Sequence, residues 1–198
     1  MTLDKILEFA KYLLKKAVAE NDVVIDATCG NGHDTVFLSH LVGMEGRVFA
    51  FDIQQEAINN SETRLKKAGI QNVELILDGH ESVLQYVDCE ISAAIFNLGY
   101  LPGSNKQITT KGATTWKAVT DMLSLLAVGG VIILVIYYGH ESGKLERDQI
   151  EDAIKTLDPS QTEVLRYEFL NKKNAPYIIA IEKSRKAHTK RCKSVDVL

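Results

Sequence analysis

The stretch from Val23 to Thr35, VVIDATCGNGHDT, runs from unbroken apolar residues to an acid, then glycines, then a helix start. Val23, Val24 and Ile25 are β-branched with no polar residue between them, the pattern of a parallel strand covered on both faces. Gly30 and Gly32 follow, a turn without Cβ atoms whose backbone N–H groups can approach a ligand closely. Asp34 is placed to cap a helix carrying Val36, Phe37, Leu38 and Leu41. Such a junction predicts an open α/β sheet with a nucleotide-type cofactor at its strand ends.

The glycine spacing bears on which cofactor. A dinucleotide fingerprint GxGxxG beginning at Gly30 needs a third glycine at position 35, where Thr35 stands, and NAD is disfavoured. Asp26 followed by Gly30 and Gly32 resembles motif I (D/E-x-G-x-G-x-G) of the class I S-adenosylmethionine (SAM) methyltransferases. Thr28 departs from it, standing where the first glycine is usual. Asp52 ends the next predicted strand, twenty residues after Gly32. An acid at that separation can bind both ribose hydroxyls of either cofactor. The plainer reading, a glycine-rich turn without a ligand, is disfavoured by this second strand-end acid.

The 198 residues suit one domain, 1–183, followed by a basic, flexible tail, 184–198. The strongest apolar run, Val131 to Tyr138, is too short to span a bilayer, and no targeting segment is visible. A cytoplasmic protein without membrane association is expected. Cys29, Cys89 and Cys192 lack CxxC or His-rich spacing, so neither a disulfide framework nor a metal site is expected. The net charge is −3, but six basic residues against Asp196 give Lys183 to Leu198 a charge of +5, leaving −8 elsewhere. That tail reads as a solvated extension or as an RNA-steering arm.

Apolar residues from Leu3 to Ala17 at three- and four-residue spacing predict an amphipathic first helix. Strand and helix then alternate: Val23 to Ala27, Asp34 to Leu41, Arg47 to Asp52, Gln54 to Ala68 stopped by Gly69, and Val73 to Leu77. A fourth strand is predicted at Ile91 to Phe96, a helix at Trp116 to Leu126 ended by Gly129 and Gly130, and a fifth strand at Val131 to Tyr137. A charged helix, Leu145 to Leu157, precedes two strands, Glu163 to Leu170 and Tyr177 to Ile181, expected to pair antiparallel. The expected fold is α/β, Rossmann-like: a seven-stranded, mostly parallel sheet with a C-terminal antiparallel hairpin and helices on both faces. The connection Leu98 to Thr114 is long and polar, and it leaves a strand's carboxyl end, where ligands bind.

Two further segments past strand ends carry candidate chemistry. Asp78-Gly79-His80 reads as an adenine contact or as a turn with a helix cap. Asn97-Leu98-Gly99-Tyr100 occupies the place of the N/D-P-P-Y tetrapeptide of amino-directed methyltransferases, with both prolines absent. There the Asn carbonyl oxygen and the next backbone carbonyl would accept hydrogen bonds from a target nitrogen, and Tyr100 would stack on a base. Tyr137, Tyr138 and His140 are candidates for assisting amine deprotonation, against a packing role for the aromatic pair. His33 reads as a turn residue rather than a base.

DATCGNGHDT, FDIQ, DGHE, NLGYLPG, YYGHESGK and NAPYIIAIEK together resemble a small bacterial family described as rRNA methylases. Members methylate 5-aminomethyl-2-thiouridine at the tRNA wobble position. The resemblance runs from about Leu3 to Lys183 and implies the strand order 3-2-1-4-5-7-6. It implies SAM as cofactor, bound by Asp26, Thr28, Gly30, Asn31, Gly32, His33, Asp34, Thr35, Asp52, Ile53, Gln54, Asp78, Gly79, His80 and Asn97. Asn97, Tyr100, Tyr138 and His140 then serve catalysis, and tRNA is the partner. The alternatives are rRNA or a small molecule as acceptor, or a SAM-binding regulator without catalysis. An acidic chain acting on RNA needs local positive charge; Lys106, Lys111, Lys117, Lys144, Arg147, Lys172 and Lys173 are the expected rim, extended in a homodimer by a second subunit.

Overall fold

The computed structural model describes residues 2–99, 110–139 and 141–184. Helix α1, Ile6–Ala17, buries Ile6, Ala10 and Leu14 on one face. Strand β1, Val23–Asp26, leads through the glycine turn into α2, His33–Val42. Strand β2, Arg47–Asp52, is followed by α3, Gln55–Ala68, which Gly69 ends at φ 68°, its N–H bonded to the Leu65 and Lys66 carbonyls. Strand β3, Val73–Leu77, runs into a short 3-10 helix, His80–Gln85. Then come β4, Ile91–Leu98; α4, Gly112–Leu125; β5, Leu126–Ile136; α5, Glu141–Ile154; β6, Thr162–Tyr167; and β7, Tyr177–Lys183.

The seven strands form one sheet in the order β3-β2-β1-β4-β5-β7-β6. The first five pair in parallel, and β7 lies antiparallel to both β5 and β6. Successive strand residues face opposite sides. Val24, Ile95 and Ile133 join α1 and α2 in one core, while Ile25, Phe96 and Leu134 join α4 and α5 in the other. Coverage on both sides is why β1, β4 and β5 carry so little polar relief.

Two expectations need correcting. Gly129 and Gly130 do not end α4; β5 begins directly at Leu126 and contains them. The strand needs them because its pairing with β4 shifts between Ile91 and Ala93, Gly129 sits at φ 83°, and a Cβ on Gly130 would lie 2.7 Å from the Ser92 carbonyl oxygen. Nor does Asp34 cap α2: Gly32 is the N-cap residue, at φ 75°, and Asp34 lies inside the first turn. Among the described residues, no helix is long and apolar enough to cross a membrane.

Candidate active site

The order reverses between β1 and β4, so the carboxyl ends of these neighbours frame a crevice. At its floor the glycine turn is tightly tied. Cys29 N–H donates to the Phe51 carbonyl at 2.8 Å, Gly32 N–H to the Cys29 carbonyl at 2.7 Å, and Gly30 N–H to Asp52 Oδ2 at 3.0 Å. Helix α3 braces the turn from outside. Asn60 donates to Asn31 Oδ1, the Ser61 hydroxyl to the Gly30 carbonyl, and Arg64 Nε to the Asn31 carbonyl. A Cβ on Gly32 would lie 2.8 Å from Ser61 Oγ. These α3 residues carry no motif of their own, and nothing in the sequence singles them out.

Asp26 and Thr35, expected at the cofactor, are both fully buried. The Thr35 hydroxyl donates to Asp26 Oδ2 at 2.6 Å, and Thr28 N–H reaches Asp26 Oδ1 at 3.3 Å. They act from beneath the turn instead of facing a ligand, because the turn folds over them. Burial first, and then Asp34, pushes the Asp26 carboxyl up to about 7.

Asp52 accepts Gly30 N–H on one oxygen and Gln54 N–H, also at 3.0 Å, on the other. Each carboxylate oxygen retains a further lone pair for a ribose hydroxyl. Ile53 beside it is 58% exposed, an apolar surface left open at the strand end. His80 is buried, with Nδ1 3.0 Å from the Ala27 carbonyl oxygen. A carbonyl only accepts, so Nδ1 carries the proton and Nε2 offers a lone pair. Burial lowers the His80 pKa, in keeping with that neutral ring. Nε2 is buried with no hydrogen-bond partner among the described residues and so calls for a donor. Asp78 accepts from Gly79 N–H at 2.7 Å and from the Tyr86 hydroxyl at 3.0 Å, and both bonds hold its pKa low. With Asp34 and Asp52 both close enough to act on Asp26, the crevice suits a positively charged, ribose-bearing cofactor and repels a pyrophosphate.

On the β4 side, Asn97 is held at both ends. Its backbone N–H donates to the Thr28 hydroxyl at 2.7 Å, so the residue that departs from motif I ties β1 to β4. Its Nδ2 donates to Asp34 Oδ2 at 2.8 Å. A carboxylate accepts only, which fixes the amide orientation and turns Asn97 Oδ1 to the other side as an acceptor. The Leu98 carbonyl receives Tyr137 N–H at 3.3 Å and keeps a second lone pair. Gly99 N–H donates to the Thr110 hydroxyl, and Thr110 N–H returns to the Gly99 carbonyl at 3.1 Å. That hydroxyl and the Thr115 hydroxyl both donate to Glu146, a buried carboxylate on α5 whose pKa burial raises.

The aromatic candidates separate. Tyr138 packs against the core and edge-on to Tyr177, with the Arg147 guanidinium over its ring at 5.2 Å, and no described contact joins it to Asn97. Tyr137 is the one coupled to Asp34; burial and then that carboxylate raise its pKa, keeping the phenol a donor. His33 faces solvent, its Nε2 3.0 Å from an Arg64 nitrogen. Tyr100 and His140 lie outside the described residues, as do Lys106 and residues 185–198. Two members of the expected basic rim are neutralised: Lys117 pairs with Asp121 and Arg147 with Asp148. Among the described residues no cluster of His, Cys, Asp or Glu could hold a metal ion.

The family described as "Putative rRNA methylase" matches residues 48–183, more than half the chain. The chain belongs to this family. The methylase is 35% identical over 186 residues, 88% of its own length and 68% of the relative's, to a chloroplastic protein of Arabidopsis thaliana named tRNA (mnm(5)s(2)U34)-methyltransferase. It superposes on a "putative rRNA-methylase" of Clostridium thermocellum with a TM-score of 0.91, at 42% identity, covering 92% of this chain and 100% of that one. A "putative methyltransferase" of Streptococcus mutans in complex with SAH gives 0.85 at 40% identity, covering 91% and 99%. The methylase is therefore a SAM-dependent methyltransferase with the class I fold.

Proposed function

We propose that the methylase transfers a methyl group to the exocyclic amine of 5-aminomethyl-2-thiouridine at the wobble position of tRNA. The orientation of Asn97 carries this reading: Asp34 holds its nitrogen, so Oδ1 is presented as an acceptor at the mouth of the cofactor crevice. An acceptor fits an amine N–H, which it orients so that the nitrogen lone pair points along the line of attack. The spare lone pair on the Leu98 carbonyl provides a second acceptor for the same nitrogen. Bound SAM supplies an electrophilic methyl on a sulfonium, and in-line displacement then depends on alignment, worth up to ~7–11 kcal/mol.

An alkylamine with a pKa near ~10 costs about 4 kcal/mol to deprotonate at neutral pH. Desolvation of the amine on entering the crevice favours its neutral form, while the Asp34 and Asp52 carboxylates favour the ammonium, so desolvation has to prevail at the acceptor end. Asp52 and His80 hold the cofactor end, Asp26 braces the glycine turn from beneath, and Thr28 and Asp34 hold Asn97. The name of the chloroplastic relative supports the tRNA acceptor.

Labelled SAM, purified protein and tRNA lacking the final methylation provide the test, with ribosomal subunits and free nucleosides alongside. Transfer to the tRNA alone is expected. Label in ribosomal RNA or nucleoside instead would replace the acceptor, and no transfer to any of them would remove the reading.

A further inference from the structure

Positive charge gathers on the face opposite α4 and α5, where no motif pointed. Lys11 and Lys15, one turn apart on α1, set their ammonium groups 5.6 and 5.9 Å from the centre of the Phe37 ring. Phe37 lies one turn beyond His33 on α2, and His33 Nε2 lies 3.0 Å from Arg64 of α3. Lys67 follows Arg64 by less than a turn, and both line a groove between α2 and α3 together with Asn31 and His33 of the cofactor turn.

These cations are largely unmatched. Lys15, Arg64 and Lys67 have no carboxylate within ion-pair distance among the described residues, and Lys11 meets Glu8 only at 3.7 Å. On the opposite face, Lys117, Arg147, Lys155 and Arg166 are each paired with an acid. In a chain of net charge −3, a connected strip of spare positive charge with an aromatic ring at its centre is a selective surface for a polyanion. An extended strip fits a run of phosphates better than one isolated anion, and it ends at the turn that floors the crevice.

We infer that the strip from Lys11 and Lys15 across Phe37 to Arg64 and Lys67 docks the phosphate backbone of the substrate RNA flanking the target nucleoside. This rests on the RNA acceptor named above. The α1–α2–α3 face lies apart from the expected rim, of which Lys117 and Arg147 are paired with acids. Arg64 serves twice, bracing the Asn31 carbonyl and lending charge to the groove.

The test uses the full-length protein saturated with SAH. In the unmutated enzyme, tRNA should protect Lys11, Lys15 and Lys67 from an amine-reactive label while Lys155 stays reactive. In the triple variant Lys11→Ala, Lys15→Ala, Lys67→Ala, the slope of log affinity for tRNA against log salt should shrink by roughly two, given ~0.7–0.9 per phosphate. KM for tRNA should rise about tenfold or more, with kcat at saturating tRNA and SAH affinity unchanged. Lys155→Ala should leave all of these unaltered. Equal labelling with and without tRNA, or an unchanged slope and KM in a variant that still binds SAH, overturns the docking surface. If the unmutated enzyme neither binds nor methylates tRNA, the RNA acceptor itself fails, a result distinct from an enzyme that methylates tRNA while its strip lysines stay reactive.

Discussion

Asn97, Thr28 and Asp34 form one unit made from residues 63 and 69 positions apart. Asn97→Ala removes the acceptor and should lower kcat by on the order of 10²-fold while SAH affinity by calorimetry stays within a few-fold. Retained turnover would show that the amine is oriented elsewhere. Asp26 sets a pH dependence. Folding raises its carboxyl from the ordinary 3.8 to about 7, so the folded chain holds a proton the unfolded chain has released. Its stabilisation is complete below the unfolded value and disappears as pH climbs through about 7, on the order of 4 kcal/mol in all. Urea melts of the wild type at about pH 5 and about pH 8 should show the part of that loss that falls above pH 5, roughly 2.7 kcal/mol, and Asp26→Asn should flatten it. At this scale the sequence was half legible. Asp26, Asp52 and Asn97 announce themselves by standing at strand ends. That Asp26 lies under the turn while Asp34 grips Asn97 depends on how two distant segments meet, which no local pattern encodes.

The strands and helices were more readable than their joints. Arg47–Asp52 and Val73–Leu77 are bounded as their apolar runs and turn residues predict. Gly129 and Gly130 misled because glycine marks helix ends and strand irregularities alike, and only the pairing with Ile91 and Ala93 distinguishes them. Helix α3 matters beyond its burial, since Ser61 packs directly under Gly32. Gly32→Ala should cost about 1–3 kcal/mol through its positive φ and the contact with Ser61, seen as a lower Tm with weakened SAH binding. Glu146 joins α5 to the end of β4 through Thr110 and Thr115. Glu146→Ala removes the acceptor that both hydroxyls share, an expected loss of about 1–3 kcal/mol by thermal melt, with kcat falling because Gly99 follows Asn97 so closely.

For the molecule as a whole, alternating strands and helices specify the parallel sheet, and the closing β6–β7 pair follows from two strand patterns without a helix between them. The strand order was legible through resemblance alone; periodicity does not say which strand neighbours which. The order matters because it sets β1 beside β4 and opens the crevice between them. A ligand bound there stabilises the folded state by mass action. At a hundred times its Kd, SAH should add about 2.7 kcal/mol and raise Tm by roughly 5–10 °C, whereas NAD at the same concentration should leave Tm unmoved. An equal shift with NAD would contradict the crevice as described.

The double anchoring of Asn97 has a kinetic corollary. Thr28 and Asp34 belong to the same loop and first helical turn that floor the donor crevice, so anything steadying that loop also steadies the acceptor seat. Addition should therefore be sequential and ordered, methyl donor ahead of RNA, with demethylated donor competing against SAM and mixed toward tRNA.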